Sequence, residues 1–285
     1  KCFNNLSAVS QSKMNIVFIG GGNMATAMIS GMLQQGYAAE QFRVVEIDEK
    51  QCERLRQTLG VTAVCDVGEG IKESSVIVLA VKPQQLFELS RKLAPLLDGQ
   101  LILSIAAGIC AADIARWLNG YRRVIRAMPN TPSLVRSGVT GLYAMPEVSE
   151  TDKQNAESIL SSVGAILWVD EEDMLHAVTA ISGSGPAYVF YFIESMQQAG
   201  IELGLSVDQA QQLSVLTFMG ASKLASLSEE EVAILRNRVT SKGGTTEQAI
   251  LAMDKNDVKA KIILAIHAAN QRSREMSNEY SKIQI

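Results

Sequence analysis

The sequence predicts an α/β protein in which a doubly wound, mainly parallel sheet is followed by an all-helical region. Up to Val169, short apolar runs alternate with amphipathic stretches, as strands alternate with helices around a parallel sheet. From Glu171 onward strand-like runs stop, and the pattern indicates helix throughout. A glycine-rich turn after the first strand is typical of a Rossmann-type dinucleotide domain. We therefore expect a dinucleotide-binding sheet domain over 14–169 and a helical domain over 170–285.

The first strand and the turn after it carry the clearest motif. Ile16–Ile19 is a continuous apolar run, as expected of a strand buried on both faces. Behind the turn, apolar residues recur at helical spacing. The turn itself has the form Gly-x-Gly-x-x-Ala, in which glycines let the backbone approach a pyrophosphate at a helix N-terminus. A glycine turn in another α/β domain is the alternative, and the flanking strand and helix argue against it. We assign cofactor binding to Gly20, Gly21, Gly22, Asn23, Met24 and Ala25.

The second predicted strand, 42–48, places an acidic residue, Glu46, 21 residues beyond Ala25. In this fold an acid near that spacing hydrogen-bonds the adenosine ribose hydroxyls and favours NAD, whereas a nearby arginine favours the 2′-phosphate of NADP. Glu46 therefore argues for NAD, but Lys50 and Arg54 are close enough in sequence to reach a phosphate. A solvated acid at the end of a strand is the alternative.

Further strands are predicted at 61–65, 75–80, 100–103 and 123–126, with helices such as 84–97 and 111–119 between them. Ligands of doubly wound sheets bind beyond the carboxyl ends of the strands, so the segments that follow these strands should converge on one crevice. We assign three of these segments to the cofactor: Ala80, Val81, Lys82 and Pro83; Ala106, Ala107 and Gly108; and Met128, Pro129 and Asn130. Extended stretches at 138–143 and 165–169, with a helix at 150–162 between them, would complete the sheet.

The second half is predicted to be helical and to form a homodimer. Ser206 with Gln209, and Ser228 with Glu231, have the form of capping boxes, and Pro186 suits the first turn of a helix. A helical region this apolar, attached to a complete sheet domain, commonly buries its surplus surface against a second copy. A monomer whose helices fold back on the sheet is the alternative. The predicted helices are 171–181, 186–203, 207–225, 229–237, 246–252 and 256–278.

Two helix starts in this half are marked by glycines: 181–188 and 239–248. In the second, Thr245 and Gln248 fit a capping box, which would place Thr246 at the first helical position with a free hydroxyl. The amides of Gly243 and Gly244, together with the helix dipole, would then form a site for a small anion such as a carboxylate. Two loops with ordinary caps are the alternative interpretation.

Composition excludes several classes of function. Net charge is −4, with no basic block, so a nucleic-acid partner is not expected. The four cysteines are scattered without a metal-ligand spacing, which favours reduced thiols in a cytoplasmic protein and no metal site. Residues 174–193 lack charges, but the Gly and Pro residues at 183–186 argue against a membrane span. We treat residues 1–13 as an expression remnant or an extension outside the fold.

Five motifs in order resemble the pyrroline-5-carboxylate reductases, the last enzymes of proline biosynthesis. They are Ile19-Gly-Gly-Gly-Asn-Met-Ala25, Ala80-Val-Lys-Pro-Gln84, Arg126-Ala-Met-Pro-Asn-Thr-Pro132, Ser182-Gly-Ser-Gly-Pro-Ala-Tyr188 and Val239-Thr-Ser-Lys-Gly-Gly-Thr-Thr246. The resemblance covers residues 14–280. It implies NAD(P)H-dependent reduction of 1-pyrroline-5-carboxylate to L-proline by a Rossmann domain and a helical domain that interlocks with its dimer mate. Many members assemble dimers into decamers.

The resemblance also implies roles for individual residues. The nucleotide maps onto the glycine turn and the loops at 80–83 and 106–108. Thr246 matches a threonine whose hydroxyl hydrogen-bonds the imine nitrogen, and we assign it as the catalytic residue. Lys242 stands where many members have proline, and Glu46 where NADPH users have a neutral or basic residue. Family habit thus favours NADP(H), with NAD(H) as the alternative. The substrate maps onto Ser182, Gly183, Ser184, Gly185, Pro186, Val239, Gly243, Gly244, Thr245 and Thr246.

Two other functions remain as alternatives. A 3-hydroxyacid-type NAD(P) dehydrogenase would need a catalytic lysine in the helical half, and neither Lys223 nor Lys242 lies in that family's motif. Lys82 follows the fourth strand, so we assign it to the cofactor side. A non-catalytic NAD(P) sensor would not need the two glycine-marked helix starts. His176 and His267 each stand alone within a predicted helix, which favours structural or surface roles over catalysis.

Overall fold

The computed structural model describes residues 14–283, so the predicted extension over residues 1–13 lies outside the described residues. The chain divides into two compact units. The first, here called the sheet unit, contains residues up to Gly183 and the C-terminal segment from Asn270. The second, the helical unit, is Ser184–Ala269.

The sheet unit is built on one eight-stranded sheet in the order β3-β2-β1-β4-β5-β6-β7-β8. All neighbouring pairs are parallel except β6 and β7, which are antiparallel. The carboxyl ends of β1 to β6 therefore meet at one edge, and those of β7 and β8 lie at the opposite edge. This confirms the predicted doubly wound, mainly parallel sheet. The strands are Ile16–Ile19, Phe42–Val45, Thr62–Val64, Val76–Leu79, Leu101–Ser104, Val124–Met128, Gly138–Ala144 and Gly164–Trp168.

Helices connect the strands as the alternating pattern predicts. The central strands β1, β4 and β5 are buried along their whole length, because helices cover both faces of a doubly wound sheet. The helices of this unit are α1 Asn23–Gln34, α2 Glu49–Leu59, α3 Val67–Gly70, α4 Pro83–Leu93, α5 Ala111–Trp117, α6 Glu150–Leu160 and α7 Met174–Val178. A π-helical turn at Thr179–Gly183 follows α7.

The helical unit contains helices and connecting loops, as predicted. Its helices are α8 Gly185–Glu202, α9 Val207–Leu227, α10 Val232–Arg238 and α11 Thr245–Lys255, and it includes the first half of α12 Val258–Ser281. The capping box of Ser206 and Gln209 is confirmed. The one predicted at Ser228 is wrong: α9 continues to Leu227, Ser228 closes it, and α10 begins at Val232.

The division between units differs from the domain boundary expected near Val169. Residues 170–183 and the end of α12 belong to the sheet unit, which therefore contains the chain that precedes the helical unit and the chain that follows it.

In the part of the chain that the structure describes, no helix is both long enough and apolar enough to cross a bilayer.

Candidate active site

The glycine turn lies against the residue that follows β4. Gly20 has φ +102°, a conformation that side chains with a Cβ rarely adopt. A Cβ on Gly20 would lie 2.7 Å from the carbonyl oxygen of Ala80. The structure thus brings together two predicted cofactor segments, and the absence of a side chain at Gly20 permits their contact.

Glu46 is tied to the same turn by backbone amides. Its Oε2 accepts a hydrogen bond from the Gly21 N–H at 2.9 Å. Its Oε1 accepts from the N–H groups of Ile47 at 2.7 Å and Asp48 at 3.1 Å. A further hydrogen bond to the turn comes from Gln51, whose Nε2 donates to the Gly21 carbonyl at 2.5 Å. The carboxylate is therefore held beside the glycine turn, at the carboxyl end of β2.

The start of α1 is open to an anion. Gly22 occupies the N-cap position without a side-chain cap, and the first turn contains no acidic residue. A Cβ on Gly22 would meet no atom within 4 Å. The first N–H groups of α1 lack intrahelical acceptors, as at any helix start, and they carry the positive end of the helix dipole. These features fit the pyrophosphate of a dinucleotide.

The loop after β5 is covered by the C-terminal end of α12. Gly108 has φ +77°, and its carbonyl accepts a hydrogen bond from Ser277 Oγ at 2.8 Å. A Cβ on Gly108 would lie 3.3 Å from Cβ of Met276 and 3.5 Å from the ring of Tyr280. Sequence reasoning missed Ser277, since it lies 169 residues from Gly108 and no local pattern marks it.

The loop after β6 contacts the first glycine-marked helix start. A Cβ on Gly183 would lie 2.8 Å from Cε of Met128. Asn130 donates from Nδ2 to the Ser182 carbonyl at 3.1 Å and accepts at Oδ1 from the Val139 N–H at 2.9 Å. The amide of Asn130, which the sequence assigned to cofactor binding, is thus engaged by the protein itself.

A buried ion pair lies behind these loops. The guanidinium of Arg126, 1% exposed, donates to Oε1 of Glu172 at 2.9 Å, and the Ala111 N–H donates to the same oxygen at 2.7 Å. Burial, and then the Glu172 carboxylate, raises the pKa of the neighbouring Cys110 thiol. The hydrogen bond from Ala111 holds the start of α5 against the segment that precedes α7, and the raised pKa keeps Cys110 a thiol at neutral pH.

His176 has a structural environment. It is buried, and its Nδ1 lies 2.8 Å from Oγ of Ser273. Burial, followed by the charges of Arg126 and Arg274, lowers the pKa of His176, so the imidazole is neutral at neutral pH. His267 is exposed on α12. One histidine is thus a core side chain and the other a surface side chain, and their lack of a catalytic role stays a prediction.

The second glycine-marked start lies in the helical unit and differs in detail from its prediction. Gly244 is the N-cap of α11 and has no side-chain cap, so the predicted capping box of Thr245 and Gln248 is wrong. Thr245 and Thr246 are the first two helical residues. Glu247 reaches back instead, and its Oε2 accepts from the Gly243 N–H at 2.7 Å.

These contacts change which amides can receive an anion. The Gly243 N–H is taken by Glu247, and the Gly244 N–H donates to the Ser241 carbonyl at 3.0 Å. The amides of Thr245 and Thr246 begin the helix and have no intrahelical acceptor. Within the described residues, no hydrogen bond is made by the Thr246 hydroxyl, and Val239 is exposed at the end of α10.

The helix start at Ser182–Pro186 spans the two units. In the sheet unit, Ser182 Oγ donates to the Val178 carbonyl at 3.0 Å within the π-helical turn. In the helical unit, Ser184 is the N-cap of α8, and Pro186 stands in its first turn, as predicted.

Comparison with known proteins identifies the family. A family model described as pyrroline-5-carboxylate reductase dimerisation matches residues 172–276, and one described as NADP oxidoreductase, coenzyme F420-dependent, matches residues 15–108. The pyrroline-5-carboxylate reductase of Pseudomonas aeruginosa is 44% identical over 269 residues, which are 94% of this chain and 98% of that protein.

Solved structures agree with the sequence comparison. A pyrroline-5-carboxylate reductase from Coxiella burnetii superposes with a TM-score of 0.89 at 40% identity, covering 93% of this chain and 99% of that chain. A pyrroline carboxylate reductase of Plasmodium falciparum, solved with NADP bound, superposes with a TM-score of 0.83 at 28% identity, covering 93% and 98%. The matches extend through both the sheet unit and the helical unit, and the chain therefore belongs to the pyrroline-5-carboxylate reductase family.

Proposed function

We propose that this protein reduces 1-pyrroline-5-carboxylate to L-proline with NADPH or NADH, the last step of proline biosynthesis. The observation that carries the proposal is the 44% identity to a pyrroline-5-carboxylate reductase across 94% of the chain. If the sequence similarity were confined to the dinucleotide-binding region, the protein could equally be a 3-hydroxyacid dehydrogenase or a non-catalytic cofactor sensor. Since the matched region includes both glycine-marked helix starts, the reductase is favoured over both alternatives.

The cofactor would be held at the carboxyl ends of β1, β4 and β5. Gly20 and Gly21 let the turn pack closely within the sheet unit, because a Cβ on each would lie 2.7 Å from the Ala80 carbonyl oxygen and 2.6 Å from Cδ1 of Leu55, respectively. The first amides of α1 would receive the pyrophosphate. A reduced nicotinamide bound in this crevice supplies the hydride for the imine carbon.

The choice of cofactor depends on Glu46. The Plasmodium relative binds NADP, and family habit favours NADP(H) for this chain. The Glu46 carboxylate favours NAD(H), because three backbone amides hold a negative charge where the ribose 2′-position is expected. We therefore propose use of both cofactors, with Glu46 lowering the preference for NADPH.

The protein's own part in the reaction is positioning and charge compensation. A protonated cyclic imine is already electrophilic, so the reaction needs no nucleophilic side chain from the protein. The amides of Thr245 and Thr246, at the positive end of α11, would hold the substrate carboxylate. By family resemblance, the Thr246 hydroxyl would hydrogen-bond the ring nitrogen, and Ser182–Pro186 would also contact the substrate.

We propose that the active form is a homodimer built on residues 171–285. Large apolar side chains such as Phe190, Tyr191 and Met219 are more than half exposed on the helical unit, which is unusual for a surface that faces water. By family resemblance, such dimers would assemble further into a decamer. The scattered cysteines favour a cytoplasmic location.

The first experiment follows the loss of reduced-nicotinamide absorbance when 1-pyrroline-5-carboxylate is added to the protein with NADPH or NADH. We expect oxidation of both, and the ratio of the two kcat/KM values measures the influence of Glu46. If both cofactors bind and neither is oxidised, the reductase proposal is wrong, and the dehydrogenase and the sensor become the leading functions.

The second experiment tests the catalytic assignment with Thr246→Ala. Loss of a hydrogen bond to the reacting nitrogen should lower kcat by about 10-fold to 100-fold, with the KM for NADPH unchanged. Thr240→Ala is the matched control, because its hydroxyl donates to the Arg236 carbonyl at 2.7 Å, just after the end of α10. Equal activity of the wild type and Thr246→Ala would contradict the assignment.

A further inference from the structure

Asn130 makes two hydrogen bonds of opposite polarity from a largely buried position. The residue is 9% exposed in the turn that follows β6. Its Oδ1 accepts from the Val139 N–H at 2.9 Å, and its Nδ2 donates to the Ser182 carbonyl at 3.1 Å. One partner is a donor and the other an acceptor, so a single orientation of the amide satisfies both. Asn130 therefore joins the beginning of β7 to the last residues of the π-helical turn.

The Ser182 carbonyl needs a donor from outside its own helix. In a continuous α-helix this carbonyl would accept from the residue four positions later, which is Pro186 and has no N–H. The next amide along the chain, that of Ala187, donates to the Ser184 carbonyl at 3.0 Å. A half-buried carbonyl without a partner is unfavourable, and the Asn130 amide supplies the missing donor.

Packing next to this hydrogen bond restricts the same turn. A Cβ on Gly183 would approach Cε of Met128 to 2.8 Å, so the backbone of Gly183 lies directly on the loop after β6. Ser182 Oγ is engaged with the Val178 carbonyl at 3.0 Å. Neither of these contacts involves the Ser182 carbonyl, whose hydrogen-bond donor is the Asn130 amide.

We infer that Asn130 is a positioning residue for the substrate-binding turn at Ser182–Gly183 and not a cofactor ligand. The inference rests on the proposed function, in which this turn forms part of the imine pocket. Both polar atoms of the Asn130 amide already have protein partners, which set its orientation, so we do not assign it to the nicotinamide. Loss of its Nδ2 donor should free the turn and weaken substrate binding, while the glycine turn and the loops after β4 and β5 keep their contacts.

The substitution Asn130→Asp tests this inference, because it keeps the acceptor for Val139 and replaces the donor by an oxygen that repels the Ser182 carbonyl. We expect the KM for 1-pyrroline-5-carboxylate to rise about 10-fold and the KM for NADPH to stay within about twofold. Burial beside a carbonyl raises the pKa of the introduced carboxyl, and its protonated form is a donor. The defect in Asn130→Asp, relative to the wild type at each pH, should therefore shrink as the pH is lowered.

Two further variants complete the experiment. Asn130→Ala carries no charge and should raise the same KM without recovery at low pH, which also covers the case in which Asn130→Asp does not fold. Ser133→Ala is the matched control, since this buried hydroxyl lies in the same turn and makes no hydrogen bond to the described residues.

The outcomes separate this inference from the proposed function. If the wild type does not reduce the imine, the proposed function fails. If the wild type is active and Asn130→Asp and Asn130→Ala leave the substrate KM unchanged, the positioning role alone is wrong. A rise confined to the KM for NADPH would also overturn the inference, because it would make Asn130 a cofactor ligand.

Discussion

The two units of this protein differ in how they bury apolar side chains. Of the 46 buried apolar residues in the described chain, 45 belong to the sheet unit, and Ala210 is the one in the helical unit. Of the 28 large apolar residues that are exposed among residues 14–283, 21 belong to the helical unit. The sheet unit therefore completes its own core. The helical unit leaves most of its apolar surface uncovered in one chain, which is the expected state of a dimerisation unit without its partner.

The largest effect should come from a charge placed on that exposed surface. Leu213, 56% exposed on α9, and Leu167, 55% exposed on β8, form a matched pair from the two units. Leu213→Glu should weaken the dimer by about 1,000-fold, because a charge would be buried at an apolar interface. Leu167→Glu should leave it unchanged. Sedimentation or light scattering over a dilution series measures both, and equal behaviour of the two variants would remove the contrast between the units.

The next effect tests how tightly the sheet unit packs at its glycine turn. Gly20→Ala should destabilise the protein by about 3 kcal/mol, because its φ of +102° and the Ala80 carbonyl both exclude a side chain. Gly22→Ala is the control, with open space around it and φ −71°, and should cost less than about 1 kcal/mol. Chemical denaturation measures both. An equal decrease in the free energy of unfolding in the two variants would show that the close approach of Gly20 to Ala80 does not limit stability.

A smaller effect concerns an ion pair of the sheet unit in which the carboxylate of Asp152 is buried and the guanidinium of Arg123 is 40% exposed. Burial raises the pKa of Asp152, but hydrogen bonds from Arg123 and Ser149 outweigh it, and the net pKa lies below the usual value. A carboxyl with a lowered folded pKa stabilises the protein above its unfolded pKa, and this stability is lost as the pH falls through the folded value. Wild-type stability should therefore decline below about pH 4.

Asp152→Asn should remove part of that decline and lower stability at neutral pH by about 2 kcal/mol, because Arg123 loses its partner. Glu150→Gln is the control on the same helix, as its carboxylate is exposed and pairs with Lys153 at 2.7 Å. Denaturation of each variant at several pH values gives the comparison. An unchanged pH profile in Asp152→Asn would show that this pair does not contribute to acid sensitivity.

The smallest effect tests whether the end of α12 functions with the sheet unit. Ser277→Ala removes the hydrogen bond to the Gly108 carbonyl, and we expect the KM for NADPH to rise about fivefold, equivalent to about 1 kcal/mol. Ser273→Ala, one turn earlier, loses its contact with His176 and should change stability without changing this KM. An equal KM in the two variants would mean that Ser277 does not position the cofactor loop.

The sequence by itself determined the local elements of this protein. Continuous apolar runs mark β1, β4 and β5, and the glycine spacing marks the turn before α1, because these features depend on neighbouring residues. The Ser206 capping box is correct for the same reason: its two partners lie within one helical turn. The motifs were also sufficient to indicate the family.

Other features were decided by the tertiary structure. Thr245 and Ser228 carry the residue pattern of capping boxes, but neither is the N-cap of its helix. The N-cap of α11 is Gly244, and that of α10 is Glu231. The contacts of Ser277 with Gly108 and of Asn130 with Ser182 span 169 and 52 residues. Hydrogen bonds between such distant segments leave no periodic signal in the sequence, because the fold alone brings their donors and acceptors within reach.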